Sequence, residues 1–421
     1  MILKSFLPAA VLSVAALASA QLTPFNQFRD SLNSAQSATF VGRVRGGVGS
    51  SAAFEEMRQH LLTLYTGVHV AHSLLFGEDV FDCVPIMEQP SVRLQGITEI
   101  AKTPEPIALE GAGDPAESDI EPATQSPGDA CEEGTIPMRR ITLEEMTRFP
   151  SLQAFFAKSN GETGPTSDPC TTNCEHKYSL TEQNVTSYGG NSWLNLWEPY
   201  VYLGLGEVFS LTQHWYVGGA GTTLPGLQTV EVGWQNYPQL YGNEKPRLFI
   251  YYTADGYTHT GCYNLTCAAF VQTNHSVYIG GAFDHYSSYL STQWEARIQV
   301  HLVDGRWWMF YAGTAFGYYP TSLYHGGQLT RHAQSDQYGT ESVGNPTWPA
   351  EGSGQWSSAG YSKAAYQRDN FYINAASKGI WSSLQRLEPS PHCYSITGPA
   401  YSSSSGWGIY FYDGGPGGTH C

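Results

Sequence analysis

From about Trp193 onward the chain is a succession of short apolar and aromatic runs, each closed by glycine, proline, asparagine or aspartate. Runs this short, rich in β-branched and aromatic side chains, suit pleated strands rather than helices. The expected strands are 193–197, 208–216, 227–235, 247–253, 270–272, 276–279, 294–302, 307–312, 341–343, 365–373 and 408–412. No helical stretches alternate with them, which argues against a parallel sheet and for an antiparallel sandwich or barrel. Composition points the same way, with 13% aromatic residues, 45 glycines and only 14% charged residues. The expectation is a mostly β protein, and 421 residues leave room for more than one unit.

The first twenty residues carry Lys4, an apolar core and the small-residue ending Ala18-Ser19-Ala20. That is the pattern of a secretory signal peptide, so the exported chain is expected to begin at Gln21 and to be extracellular. No later apolar run approaches the roughly 18 residues a membrane span needs, so no membrane attachment is expected. Export makes the eight cysteines readable as disulfides. Their order suggests Cys83 with Cys131, Cys170 with Cys174, Cys262 with Cys267 and Cys393 with Cys421, one of roughly a hundred connectivities. Zinc is the weaker reading, because C-x2-C spacing and attendant histidines are missing. Sequons at Asn184, Asn264 and Asn274 are candidate glycosylation sites, while Pro346 excludes Asn345.

Upstream of the strands, 51–75 has helical periodicity, with Met57, Leu61, Leu62 and Tyr65 near one face, and 80–94 reads as short strands around Cys83. The stretch 103–137 is acidic and proline-rich with no Lys or Arg, which reads as a flexible connector. Thr142 followed by Leu143, Glu144 and Glu145 looks like a helix start. The expected layout is a signal peptide at 1–20, a small mixed α/β unit with its acidic linker at 21–165, ending somewhere in 137–176, and an antiparallel β-sandwich at 166–421. The net charge of -16, without a basic stripe, argues against nucleic-acid partners.

Serine-elbow, zinc-helix and phosphate-loop signatures are absent, and His69 with His72 read better as packed or surface residues than as ligands. Carboxylates remain. Glu198, Glu207, Glu244, Glu295 and Glu351 read as solvated or salt-bridged groups. In TVEVGWQNYP (229–238), Glu231 shares a strand face with Thr229 and Gly233, opposite Val230, Val232 and Trp234. Glu341, in QYGTESV, has small polar neighbours. Two carboxylates held together cannot both ionise easily, so one can serve as acid and the other as base to activate water against a carbonyl. Isolated strand glutamates are commonly structural. The pattern alone also leaves open a carbohydrate-active enzyme, with paired carboxylates on an aromatic sandwich, and a lectin-like binding module.

The segment TVEVGWQNYPQLYGNEKPRLFIYYTADGYTHTGCYNLTCAAFVQTN resembles the core signature of the neprosin family, secreted glutamic endopeptidases that cleave after proline. NSWLNLWEPYV, EVFSLTQHWYVGG, GRWWMFYAGTAFGYYP, QYGTESV, AEGSGQWSSAGYSKAAYQRDNFYIN and the ending CYSITGPAYSSSSGWGIYFYDGGPGGTHC resemble the same family in the same order, and VFDCVPIMEQPSV resembles its pro-region. The resemblance implies a β-sandwich catalytic domain covered by a pro-region that acts as an intramolecular inhibitor until acid triggers its removal. It puts the catalytic pair on Glu231 and Glu341 and needs no cofactor and no metal. The resemblance does not divide the roles; the preferred reading takes Glu341 as base and Glu231 as acid, with the reverse left open. The approach to Glu341 departs from the family's Gly-Gly-Glu pattern, since Gly339 and Thr340 precede it. Substrates would be proline-containing proteins or peptides, met by the aromatics Trp215, Trp234 and Tyr237. Gln213, on the strand face of Trp215, would orient substrate or an acid. The enzyme is expected to work as a monomer.

Overall fold

The strand Gln228–Asn236 is buried along its whole length, and the alternation of its side chains divides it between two environments. Val230, Val232 and Trp234 point into a core between two sheets, where Trp234 Nε1 donates to the Asn195 carbonyl of the facing sheet at 3.1 Å. Thr229, Glu231 and Gly233 look the other way. The chain is described by a computed structural model covering residues 22–109, 119–158, 176–219, 226–387, 390–404, 406–419 and 421. Gln21 and the twenty residues before it, and the Cys170–Cys174 pairing, lie outside these residues.

Seven strands form the first sheet, in the order Cys262–Tyr263, Arg247–Thr253, Gln228–Asn236, Glu207–Gly218, Ala333–Gly344, His176–Ser187 and Gln385–Leu387, every pairing antiparallel. The second sheet has eleven strands, built around Gln293–Val303, Gly189–Asn195, Ala365–Ile373 and Gly408–Gly414. Its contacts with the first include His214 Nε2 to Ser192 Oγ at 2.6 Å and Gln367 Nε2 to the Gly339 carbonyl at 3.4 Å. An antiparallel sandwich is therefore the architecture of the larger unit. Several strands go beyond the sequence expectation, the longest being His176–Ser187 and Thr314–Pro320, while 276–279 is not a strand and the strand expected at 341–343 extends over Ala333–Gly344.

The upstream unit is a mixed α/β structure with its own sheet, His72–Phe76, Asp79–Pro85 and Thr135–Arg139. Helix Ser51–Tyr65 buries Phe54, Met57, Leu61, Leu64 and Tyr65, and Ser50 caps it by accepting from Ala53 N. The helix start at Thr142 is a full capping box with Glu145. The acidic stretch differs from expectation. Ile120–Pro122 pairs in parallel with Gln293–Glu295 of the second sheet, and Cys131 is joined to Cys83, so its described part is docked rather than a free connector. Backbone hydrogen bonding and a covalent tie outweigh what charge composition suggested. Cys262–Cys267 and Cys393–Cys421 are also bonded.

Asp79 ties the units together by pairing with both Arg139 of its own unit and Arg247 of the first sheet. Among the sequons, Asn184 is exposed and Asn274 half-buried, but the Asn264 amide is buried and donates to Tyr241 OH at 2.9 Å. The fold thus offers no room for a glycan at Asn264.

Candidate active site

Strand register decides which side chains meet on the outer face of the first sheet. Glu231 lies opposite Trp215, Gly233 opposite Gln213, Gly339 also opposite Gln213, and Glu341 opposite Leu211 on one side and Tyr178 on the other. Side chains two apart share a face, so Glu231, Gln213, Trp215, Tyr178 and Glu341 all project to the same side. The backbones here are close. A Cβ at Gly233 would lie 2.1 Å from the Thr212 carbonyl oxygen, and Gly339 combines a φ of +150° with a Cβ position 2.3 Å from the Ser179 carbonyl oxygen. Only glycine fits beside Gln213.

Both glutamates are buried, at 0% and 1% exposure. Buried carboxylates need compensation, and a lysine from the upstream unit supplies it. Lys158 follows helix Leu152–Phe156, and its Nζ lies 2.5 Å from Glu231 Oε2 and 2.7 Å from Glu341 Oε2. The ammonium also sits over the Trp215 ring, 5.2 Å from the centroid. Burial works against this charge, but Glu231 and Glu341 together hold the Lys158 ammonium above its ordinary value. The segment's backbone is anchored as well: Tyr251 OH donates to the Phe156 carbonyl at 3.2 Å and Tyr263 OH to the Lys158 carbonyl at 3.4 Å.

Each glutamate has further partners. Glu231 accepts from Gln213 Nε2 at 3.0 Å, Thr229 Oγ1 at 2.7 Å and Tyr257 OH at 2.7 Å. Glu341 Oε1 is 2.5 Å from His176 Nδ1, and Tyr178 is hydrogen-bonded to the same carboxylate. Burial alone would raise Glu341, but Lys158 and then His176 outweigh it and hold the carboxyl below its ordinary value. For Tyr257 burial and then the Glu231 charge act together, pushing the phenol well above its ordinary value, so it stays a donor.

The structure brings Glu231, Glu341, Gln213 and Trp215 together as expected. Tyr237 borders the group, packed between Phe149 of the upstream unit and Phe209 of the sheet. Trp234 is corrected: it occupies the other side of its strand, in the sandwich core, because an even step along the strand from Val232 cannot reach the Glu231 face. Lys158, His176, Tyr178, Tyr257, Tyr251 and Tyr263 were not foreseen. Lys158 stands alone after an apolar stretch and carries no motif, while His176 and Tyr178 open a strand that the turn pattern did not reveal.

Among solved structures, the chain is similar to scytalido-glutamic peptidase bound to a peptide-based transition state analogue, with a TM-score of 0.29, 11% identity, and coverage of 58% of this chain and 99% of that one. It is likewise similar to SCP-B, a member of the eqolisin family of peptidases in complex with the tripeptide Ala-Ile-His, with a TM-score of 0.28, 11% identity, and coverage of 57% and 96%. At that level of similarity the fold rests on this chain's own strand pairing. The Neprosin family model matches residues 206–416, a span that holds both Glu231 and Glu341 and amounts to half of the chain. The chain belongs to the neprosin family of glutamic peptidases.

Proposed function

We propose that this chain is the latent precursor of a secreted, acid-acting glutamic endopeptidase that hydrolyses peptide bonds after proline. The observation that carries the reading is the position of Lys158, one ammonium within ion-pair distance of two buried carboxylates at 2.5 and 2.7 Å. Two acids brought that close without a cation would share one proton, which is the state a water-activating dyad requires. In the precursor the lysine takes the place of that proton and fills the site, so water and substrate are excluded. Acid protonates the carboxylates, weakens both ion pairs and frees the segment.

In the opened site Glu341 takes a proton from water as the oxygen attacks the scissile carbonyl carbon. Glu231, protonated, donates a hydrogen bond to the developing oxyanion and then gives its proton to the leaving nitrogen. Glu341 returns its proton to Glu231 or to solvent as the products part. Trp215 Nε1 and Gln213 Oε1 are buried without a hydrogen-bond partner among the described residues, a donor and an acceptor suited to a peptide backbone. The Trp215 face and Tyr237 supply the aromatic surface that a pyrrolidine ring would pack against. Cleavage that releases Lys158 while leaving the strand His176–Ser187 intact would fall within 159–175, which includes Pro165 and Pro169.

The purified precursor held at about pH 4 should shorten itself and then cleave proline-containing peptides. Glu231→Gln and Glu341→Gln should each lower kcat/KM by on the order of a thousand-fold or more while the precursor still folds. If both variants process and cleave normally, the glutamic mechanism is wrong. If cleavage products of a mixed proteome show no enrichment of proline before the cut, the specificity is wrong.

A further inference from the structure

Loss of the pro-segment removes Lys158 and leaves the two carboxylates in unequal company. Glu231 keeps three neutral donors, Gln213 Nε2 at 3.0 Å, Thr229 Oγ1 at 2.7 Å and Tyr257 OH at 2.7 Å. Glu341 keeps the Tyr178 hydroxyl and His176, whose Nδ1 lies 2.5 Å from Oε1. An imidazole is ordinarily a cation at acid pH. His176 is therefore the group on the catalytic sheet that can take over Lys158's positive charge at the dyad.

The imidazole is held in place. It stacks on Tyr178 at 6.0 Å and 17°, meets Phe209 edge-on at 6.4 Å, and its side chain is 7% exposed. Register fixes the approach: Tyr178 pairs with Glu341 and His176 with Val343, so both side chains lean over the Glu341 carboxylate from the adjacent strand. Among the described residues, the other titratable groups around this pair are Glu231 and Tyr263 on the same face and Glu351 behind the strand, with Lys158 from the pro-segment. Apart from the departing lysine these are acids or phenols, and none can supply a positive charge.

We propose that His176 is a positioning residue that sets the division of labour in the dyad, its imidazolium keeping Glu341 ionised as the base so that the shared proton rests on Glu231. The inference depends on Glu231 and Glu341 being the catalytic pair. It explains how two like residues on one sheet acquire different roles: one carboxylate faces neutral donors, the other a cation. A neutral amide in place of the imidazole would leave the dyad with one proton but without a preferred owner, and Glu341 would protonate at higher pH.

The test is the pH profile of kcat/KM for the mature enzyme and its His176→Gln variant on a proline-containing peptide. The acid limb should move up by about one pH unit, so that activity at pH 3 falls roughly ten-fold while activity at pH 5 changes by less than about three-fold. A loss that is uniform across pH, or a limb that does not move, overturns the proposal, since a merely structural role predicts one of these. If His176→Gln does not fold, 15N NMR of the imidazole in the full-length precursor and in its Glu341→Gln variant decides. The imidazolium should persist to higher pH beside Glu341 than beside glutamine, and identical titrations overturn the proposal. An active Glu341→Gln enzyme would instead sink the dyad itself, which keeps the two failures apart.

Discussion

Buried carboxyl groups stand both on the outer face of the seven-stranded sheet and in the core between the two sheets, and the two environments treat them differently. On the outer face Glu231 and Glu341 share Lys158 and gain His176, Gln213 and tyrosine donors. Toward the sandwich core, Asp336 has Gln183 at 3.2 Å, Glu351 meets the Thr340 hydroxyl, and neither oxygen of Asp413 has a hydrogen-bond partner among the described residues. No cation accompanies these three among the described ion pairs. Burial pushes Asp336 and Asp413 up to about 8 and Glu351 well above its ordinary value, so the core acids persist as neutral groups. A cation lets a buried acid stay ionised; without one, the acid is held neutral by its proton. Burial by itself therefore does not mark a catalytic glutamate. What separates the two environments is that the compensating charge at the outer one comes from the upstream unit, and in the proposed precursor that charge is the one to be withdrawn.

The sharpest way to break that distinction is to remove the withdrawable charge. Lys158→Met leaves an apolar stem of similar length over Trp215 and two carboxylates without their shared cation. Stranding a buried charge pair in this way costs on the order of 3–5 kcal/mol, most of it relieved when the dyad takes up a proton. Docking of the segment should weaken, and the precursor should process at a pH about one unit or more higher than the wild type. Processing followed by gel electrophoresis across pH 3 to 7 measures this, and an unchanged midpoint would mean that the lysine is not the latch.

The sequence showed the sandwich and Glu231 more clearly than the site around them. Period-two alternation in TVEVGW placed Glu231 opposite Val230, Val232 and Trp234, and the sheet obeys it. Trp234 went wrong for the same reason: proximity in sequence to Glu231 suggested a shared cleft, while alternation puts it on the other side. Lys158 and His176 were illegible because the contacts that define them are long-range. Lys158 reaches Glu231 across 73 positions and His176 reaches Glu341 across 165, and no local pattern encodes such distances. The acidic stretch was misread because composition reports net charge, whereas the docking of Ile120–Pro122 depends on an edge that only the folded sheet provides.

The core acids give a second test, smaller per group but summed over several. Their sign follows from linkage: when a carboxyl is raised in the folded state, both states hold the proton below about pH 4, and the unfolded chain alone ionises between there and the folded value. Asp336 and Asp413, at about 8, and Asp369, pushed by burial to about 7, should thus make the protein progressively less stable from about pH 4 to pH 8. Glu341, held low, has the opposite sign, but its contribution is already complete above its ordinary value near 4.5 and is lost only as pH falls below that, so it leaves the slope toward pH 8 unchanged. The expected result is a Tm lower by on the order of ten degrees at pH 8 than at pH 5, with the slope reduced in Asp413→Asn. A flat Tm over that range would mean that the core acids are ionised and paired after all.

The smallest effect should come from His60, which tests whether any group besides the lysine latch senses acid at the boundary between the units. It projects from helix Ser51–Tyr65, donates Nε2–H to the Thr266 carbonyl at 2.8 Å, and meets Phe156 of the latch segment edge-on at 5.0 Å. Burial lowers its pKa, with the Thr266 carbonyl opposing. A histidine lowered on docking favours the docked state while neutral. As pH falls through the ordinary imidazole value near 6.5, the undocked form gains a proton first, and docking weakens. The amide of His60→Gln can still donate to Thr266 but cannot ionise, so the processing midpoint should move to lower pH by a few tenths of a unit. Combined with Lys158→Met, the two shifts should be nearly independent, because the lysine acts at the dyad and the histidine at the far side of Phe156. Strong non-additivity would mean that the two act through one rearrangement of the segment, and that the outer face answers to more than its lysine.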